Sequence, residues 1–212
     1  MVGFLKIFGY KDPHRPLGWN IHTKPQQLIS SLLNVGTIAG VLLTGPFAHY
    51  FGRKAGVWVA SGVSFIALGL QLGATTLPQL YAGRALVGFA NGFYITFANT
   101  YTSEIAPAHL RGVLVALFGF WVNTGSLAGA IADNFSKDRL DKTCYQIPLG
   151  VLYLVPFFLS VMIFFIPESP RWLLIHDRKD EARLSLVKVR GHSLEPKYLE
   201  EETFYNTPSK KT

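Results

Sequence analysis

Long apolar runs separated by short polar ones set the architecture of this chain. Four stretches of 20 or more residues, 28–50, 56–77, 113–132 and 147–166, contain no Asp, Glu, Lys or Arg. A hydrocarbon core of about 30 Å is crossed by about 20 helical residues, so each stretch predicts a membrane-spanning helix. A fifth run, 80–102, carries a single charge, Arg84. The pattern therefore predicts an all-α, polytopic membrane helix bundle with five spans. Pro167 and Pro170 end the last span, because a residue without an N–H that clashes with the preceding turn stops a helix. Beyond them the period changes. Leu174, Leu184 and Val187 stand among Asp177, Lys179, Asp180, Glu181 and Lys188, which predicts an amphipathic helix over 172–189 lying against the bundle. Gly191 would cap it.

Four domain-level pieces follow: an N-terminal segment on the outer side (1–25), the membrane domain (26–167), a cytoplasmic helical segment (168–192) and a disordered tail (193–212). Turn formers at Asp12-Pro13, Pro16-Leu17-Gly18 and Pro25 make the first piece loop-like. Within the spans, Gly36 and Gly40, Gly69 and Gly73, Gly88 and Gly92, and Gly125 and Gly129 repeat at four-residue spacing. Small residues at that spacing let helix backbones approach closely in lipid. The fifth span differs, and Phe157, Phe158, Phe164 and Phe165 point to lipid contact.

Composition supports a membrane protein and narrows its chemistry. The chain is 49% hydrophobic and only 16% charged, an unusual balance for a soluble domain. Its net charge of +7 is spread over loops and tail, and 9 of the 20 basic residues share 167–212 with 8 acids, so no stripe for nucleic acid forms. Cys144 stands alone, which excludes an internal disulfide or a cysteine metal site. No nucleophile–base pair or metal-ligand cluster falls in a span. The chain is expected not to be an enzyme and to need no cofactor.

Topology raises a conflict. An odd number of spans puts the chain ends on opposite sides. With the Arg53-Lys54 turn and the segment after Pro167 inside, the inner side holds Arg53, Lys54, Arg111, Arg171, Arg178, Lys179 and Arg183. The outer side holds Lys6, Lys11, Arg15, Lys24, Lys137, Arg139 and Lys142, seven against seven. Positive charge does not orient five spans. An additional upstream helix would restore an inside N-terminus, so the chain is expected to be part of a longer one.

Read as bare physics, FGRK at 51–54 is a tight inner turn with anchoring cations. Glu104 and Arg111 stand seven apart across a Pro-containing turn and are positioned to join the facing ends of spans three and four. Glu168 and Arg171, three apart, either pair locally or reach charges on neighbouring helix ends. These segments also carry a resemblance. FGRK, GRALVGFANG (83–92), SEIAPAHLRG (103–112) and PESPRWLL (167–174) stand in the order and spacing of the sugar porter family of the major facilitator superfamily, and with the DEARLSLVKVRG tail they are most similar to fungal members.

The resemblance covers residues 4–192 and matches that family's helices two to six. It implies transport of a sugar or sugar-like polyhydroxylated solute by alternating access between two six-helix halves, in this chain an incomplete transporter. The first helix and second half are its missing partners, beside the bilayer, the sugar-like substrate and, in a symporter, protons. The alternative is a truncated or sensor-like membrane protein that does not transport and associates with partner transporters. The resemblance assigns Arg53, Glu104, Arg111, Glu168 and Arg171 to a cytoplasmic gating cluster. It makes Arg84 either a proton-coupling element or a cation that snorkels from near the outer end. His49 stands where the family has an acid. Gly119 stands where many members carry a glutamine that bonds sugar hydroxyls, so substrate binding falls to Gly119, Asn123 and Asn91, with Asn99 a further amide. These amides either face the cavity or bond between helices. The expected location is the plasma membrane.

Overall fold

A computed structural model supplies the fold and describes residues 9–11, 19–20, 22–106, 110–136 and 143–190. The expected outer loop with Lys137, Arg139 and Lys142, the Gly191 cap and the tail over 193–212 lie outside the described residues, as do Pro107 and His109. Within the N-terminal segment read as loop, β1 (Tyr10–Lys11) and β2 (Trp19–Asn20) form a short antiparallel pair, with the Lys11 ammonium 5.7 Å from the Trp19 ring centre.

Seven helices follow among the described residues: α1 (Thr23–Leu72), α2 (Leu77–Ile105), α3 (Arg111–Ser136), α4 (Thr143–Leu152), α5 (Leu154–Phe165), α6 (Pro170–Ile175) and α7 (Lys179–Arg190). The first two predicted spans are the two arms of α1. Its 50 residues are interrupted at Gly52, which adopts φ 84° and ψ 178°. Such a conformation is open to glycine and strained for residues with a Cβ, so the FGRK turn is a one-residue hinge rather than a loop. The fifth predicted span is likewise two pieces, α4 and α5, parted at Tyr153. Pro156 explains the break: it cannot donate to the carbonyl of Leu152 and its ring crowds that oxygen.

The α1–α2 contact forms the centre. Gly36 and Gly40 meet backbone of Ala85 and Phe89, while Gly88 and Gly92 meet backbone of Leu33 and Thr37, so the two glycine pairs face each other. Further along, Gly56 lies under the Phe97 ring. Ala60, Phe93 and Phe97 form a buried cluster flanked by Phe47, Val57 and Phe89. Three polar side chains in this contact are paired: Tyr94 donates to Ser61 Oγ at 2.9 Å, Gln71 to the Gly83 carbonyl at 3.2 Å and Thr44 to the Gly40 carbonyl at 2.9 Å. Without those bonds each would cost about 1–3 kcal/mol in an apolar interior.

Elsewhere the helices turn apolar side chains outward. Leu42, Ile66, Phe120, Trp121, Leu127, Phe157, Phe158, Phe164 and Phe165 are all exposed. By length and apolarity Thr23–Leu72, Gly112–Ala132 and Pro148–Phe165 each suffice to cross a bilayer. The run in α2 is less apolar, because Arg84, Asn91, Thr96 and Asn99 interrupt it.

The region after Pro170 departs from the single amphipathic helix expected over 172–189. It is two helices with a turn between them, where Asp177 has φ 59°. Leu173, Leu174 and Ala182 form a small core with Trp172 against it. In α7 the buried positions are Ala182, Ser185 and Leu186, spaced three and four apart, whereas Leu184 is 69% exposed. Leu184 was expected on the inner face. Two residues from both Ala182 and Leu186, it lies on the opposite side of the helix.

Candidate functional site

Charged side chains gather at one end of the bundle, where the α1 hinge, the end of α2 and the start of α6 meet. Gly52 interrupts the helical ladder, so the amides of Arg53 and Lys54 begin a new helix without intrahelical acceptors. Glu168 supplies them from far along the chain: its Oε1 accepts from Arg53 N, 115 residues away, at 3.0 Å and from Lys54 N, 114 away, at 3.2 Å. A carboxylate there also faces the positive end of the helix dipole.

The Arg53 side chain turns toward α2. Its Nε donates to Glu104 Oε2 at 3.0 Å and its Nη2 to Glu104 Oε1 at 2.6 Å, a two-point pair. The side chains are 12% and 5% exposed, which places this pair among buried ones whose disruption is costly. Nη1 donates to the Ala48 carbonyl at 3.3 Å, back across the hinge.

Ser169 ties the third element in. It is fully buried; its Oγ donates to Glu104 Oε2 at 2.6 Å and accepts from Trp172 N at 3.5 Å as the N-cap of α6. Further bonds close the corner: Tyr101 Oη donates to the Pro167 carbonyl at 2.9 Å, Ser185 Oγ to the Glu168 carbonyl at 2.7 Å, and Trp172 Nε1 to the His49 carbonyl at 3.1 Å. Two carboxylates thereby join the second arm of α1, α2 and the start of α6, while the first arm of α1 and α7 are tied in through the backbone carbonyls of Ala48, His49 and Glu168.

Of the five residues expected in a gating cluster, the structure brings Arg53, Glu104 and Glu168 together. Arg171 is exposed on α6 and makes no ion pair among the described residues. Arg111 opens α3, and its side chain lies outside the described residues. Ser169 was missed, although a serine directly before a proline that begins a helix is an N-cap signal. His49 is exposed, its ring centre 6.1 Å from that of His176.

The expected substrate-binding residues are dispersed. Gly119 and Asn123 lie on exposed α3, where Asn123 Nδ2 donates to the Gly119 carbonyl at 2.9 Å and its Oδ1 stays available as an acceptor. Asn91 is exposed on α2 and Asn99 is half-buried. Arg84 is half-buried near the start of α2. Among the described residues no group of three or more His, Cys, Asp or Glu side chains is placed to hold a metal.

Comparison with known proteins places the chain in a family. The family described as Sugar (and other) transporter matches residues 6–209, and the chain belongs to it. It is 31% identical over 195 residues to the probable glucose transporter rco-3 of Neurospora crassa, covering 89% of this chain and 33% of that protein. It is 33% identical over 208 residues to a probable quinate permease of Aspergillus terreus, covering 93% and 38%. In structure it is similar to XylE of E. coli, a major facilitator proton:xylose symporter, with a TM-score of 0.76 at 23% identity, covering 86% of this chain and 43% of that one. The chain thus spans about a third of the length of those two relatives. Family and span-length helices together make it an integral membrane protein.

Proposed function

We propose that this chain is the part of an alternating-access transporter that spans helices two to six of its N-terminal half, and that the parent activity carries a sugar or sugar-like polyhydroxylated solute. The observation that carries this reading is the corner in which Arg53, Glu104, Glu168 and Ser169 bind the ends of several helices into one unit. A rocking transporter needs each half to move as a rigid body about a fixed site. Five crossings follow from this reading: the two arms of α1, then α2, α3, and α4 with α5 as one broken span. It places the corner on the cytoplasmic side, with Arg111 and Arg171 left to engage charges on the other half. The names of the relatives, a glucose transporter and a quinate permease, support a solute with several ring hydroxyls. Gly119, Asn123 and Asn91 are its proposed contacts, and Arg84 is the proposed coupling cation if the parent is a proton symporter. The plasma membrane is the proposed location.

A chimera tests the function. Residues 6–192 replace the matching stretch of the Neurospora crassa relative, and the protein is expressed in cells without hexose carriers of their own. Labelled glucose enters at a rate well above background, and a Glu104→Ala version reaches the membrane yet transports poorly. A chimera that reaches the membrane and moves neither glucose nor quinate overturns the reading.

A further inference from the structure

We propose that a groove beside the charged corner holds one acyl chain of an anionic phospholipid, with the lipid phosphate on Lys54. The groove is a partly open cavity of about 200 Å³ between the second arm of α1, α2 and α5. Its walls are Val57, Phe97, Leu159, Met162 and Ile163, and Lys54 stands among the lining residues at the hinge end. The outer rim is accessible from the side: Leu159 is 37% and Met162 57% exposed. An apolar trough opening laterally on a membrane protein meets hydrocarbon rather than water.

The charge balance at the corner selects the headgroup. Arg53 is committed to Glu104 in a two-point pair, and both Glu168 oxygens face backbone amides of residues 53 and 54. The Lys54 side chain pairs with no carboxylate among the described residues. A lysine at the end of a span keeps its stem along apolar surface and its ammonium at the headgroup level, where anionic lipid is attracted to it. Phosphate on Lys54 and a chain along Val57 to Met162 would satisfy both ends of the groove. The inference requires the bundle to sit in a bilayer and does not depend on transport.

Native mass spectrometry of the purified full chain tests it, after exchange into mixed phosphatidylcholine and phosphatidylglycerol and mild delipidation. One phosphatidylglycerol remains bound in preference to phosphatidylcholine. Lys54→Gln lowers its retention about five-fold, the effect of removing one near-surface cation, and Met162→Trp, which fills the trough, lowers it as well. Leu154→Trp, at the far end of α5, leaves retention unchanged, and circular dichroism shows the helix content of every variant intact. Equal retention by wild type and Lys54→Gln overturns the proposal, as does equal retention of the two lipids. Loss in Lys54→Gln with none in Met162→Trp, or displacement by inorganic phosphate, reduces the site to an ion contact and equally overturns it.

Discussion

Glu104 receives bonds from two elements, which makes it the most informative single residue. Its carboxylate accepts twice from Arg53 and once from Ser169, and its side chain is 5% exposed. Glu104→Ala leaves a guanidinium in a poorly solvated site and an orphaned hydroxyl. Removing one partner of such a pair costs about 3–5 kcal/mol, whereas replacing both by apolar residues is often near neutral. We therefore expect Glu104→Ala to lower the detergent-solution melting temperature sharply and Arg53→Leu with Glu104→Leu to recover most of the loss. A double-mutant cycle read by thermal unfolding measures the coupling. Gly52 is sensitive for another reason. A Cβ there would lie 3.0 Å from a Glu168 carboxylate oxygen on a backbone with φ 84°, so Gly52→Ala is expected to cost at least ~1 kcal/mol in the same assay. At the proposed solute site, Gly119→Gln adds the side-chain donor that glycine lacks. In the chimera it is expected to lower the half-saturation concentration for glucose, read from initial uptake rates.

Between helices, three of the four glycine pairs separate into two kinds. Gly36 and Gly40 with Gly88 and Gly92 leave no space for a side chain, since backbone carbonyls of the facing helix occupy the positions a Cβ would take. Around Gly125 and Gly129 nothing lies within 4 Å. Gly36→Leu or Gly88→Leu should force the first arm of α1 and α2 apart and unfold the chain at markedly lower temperature. Gly125→Leu, in this chain, should change its stability by no more than ~0.5 kcal/mol, as for a surface position. Four-residue spacing was equally visible at all four pairs, but spacing alone carries no information about which helix approaches. The same limit applied to α7. The charged and apolar alternation was legible, yet Leu184 and Leu186 are chemically alike, and only tertiary packing decides that Leu186 is the buried one.

For the whole molecule, the proposed orientation is open to direct measurement. In a Cys144→Ser background, Lys137→Cys should react with an impermeant thiol reagent on intact cells and Ile175→Cys should not. Labelling of position 175 from outside would reverse the topology and with it the cytoplasmic placement of the charged corner. The apolar runs by themselves determined that this is a helical membrane protein, because a hydrocarbon solvent admits few other structures and sets their length. The prolines at 167 and 170 determined where the last run stops. Motif order determined the family and singled out Arg53, Glu104 and Glu168 as candidates for a gating cluster. Only the tertiary structure decided that the FGRK turn is a hinge at Gly52, and that Glu168 reaches back 114 residues to the Lys54 amide. It also decided that Ser169 links to Glu104 while Arg171 stays outside. The physical reason is range: periodicity and capping are local, whereas a carboxylate that completes a broken helix is chosen by whatever chain end folding brings beside it.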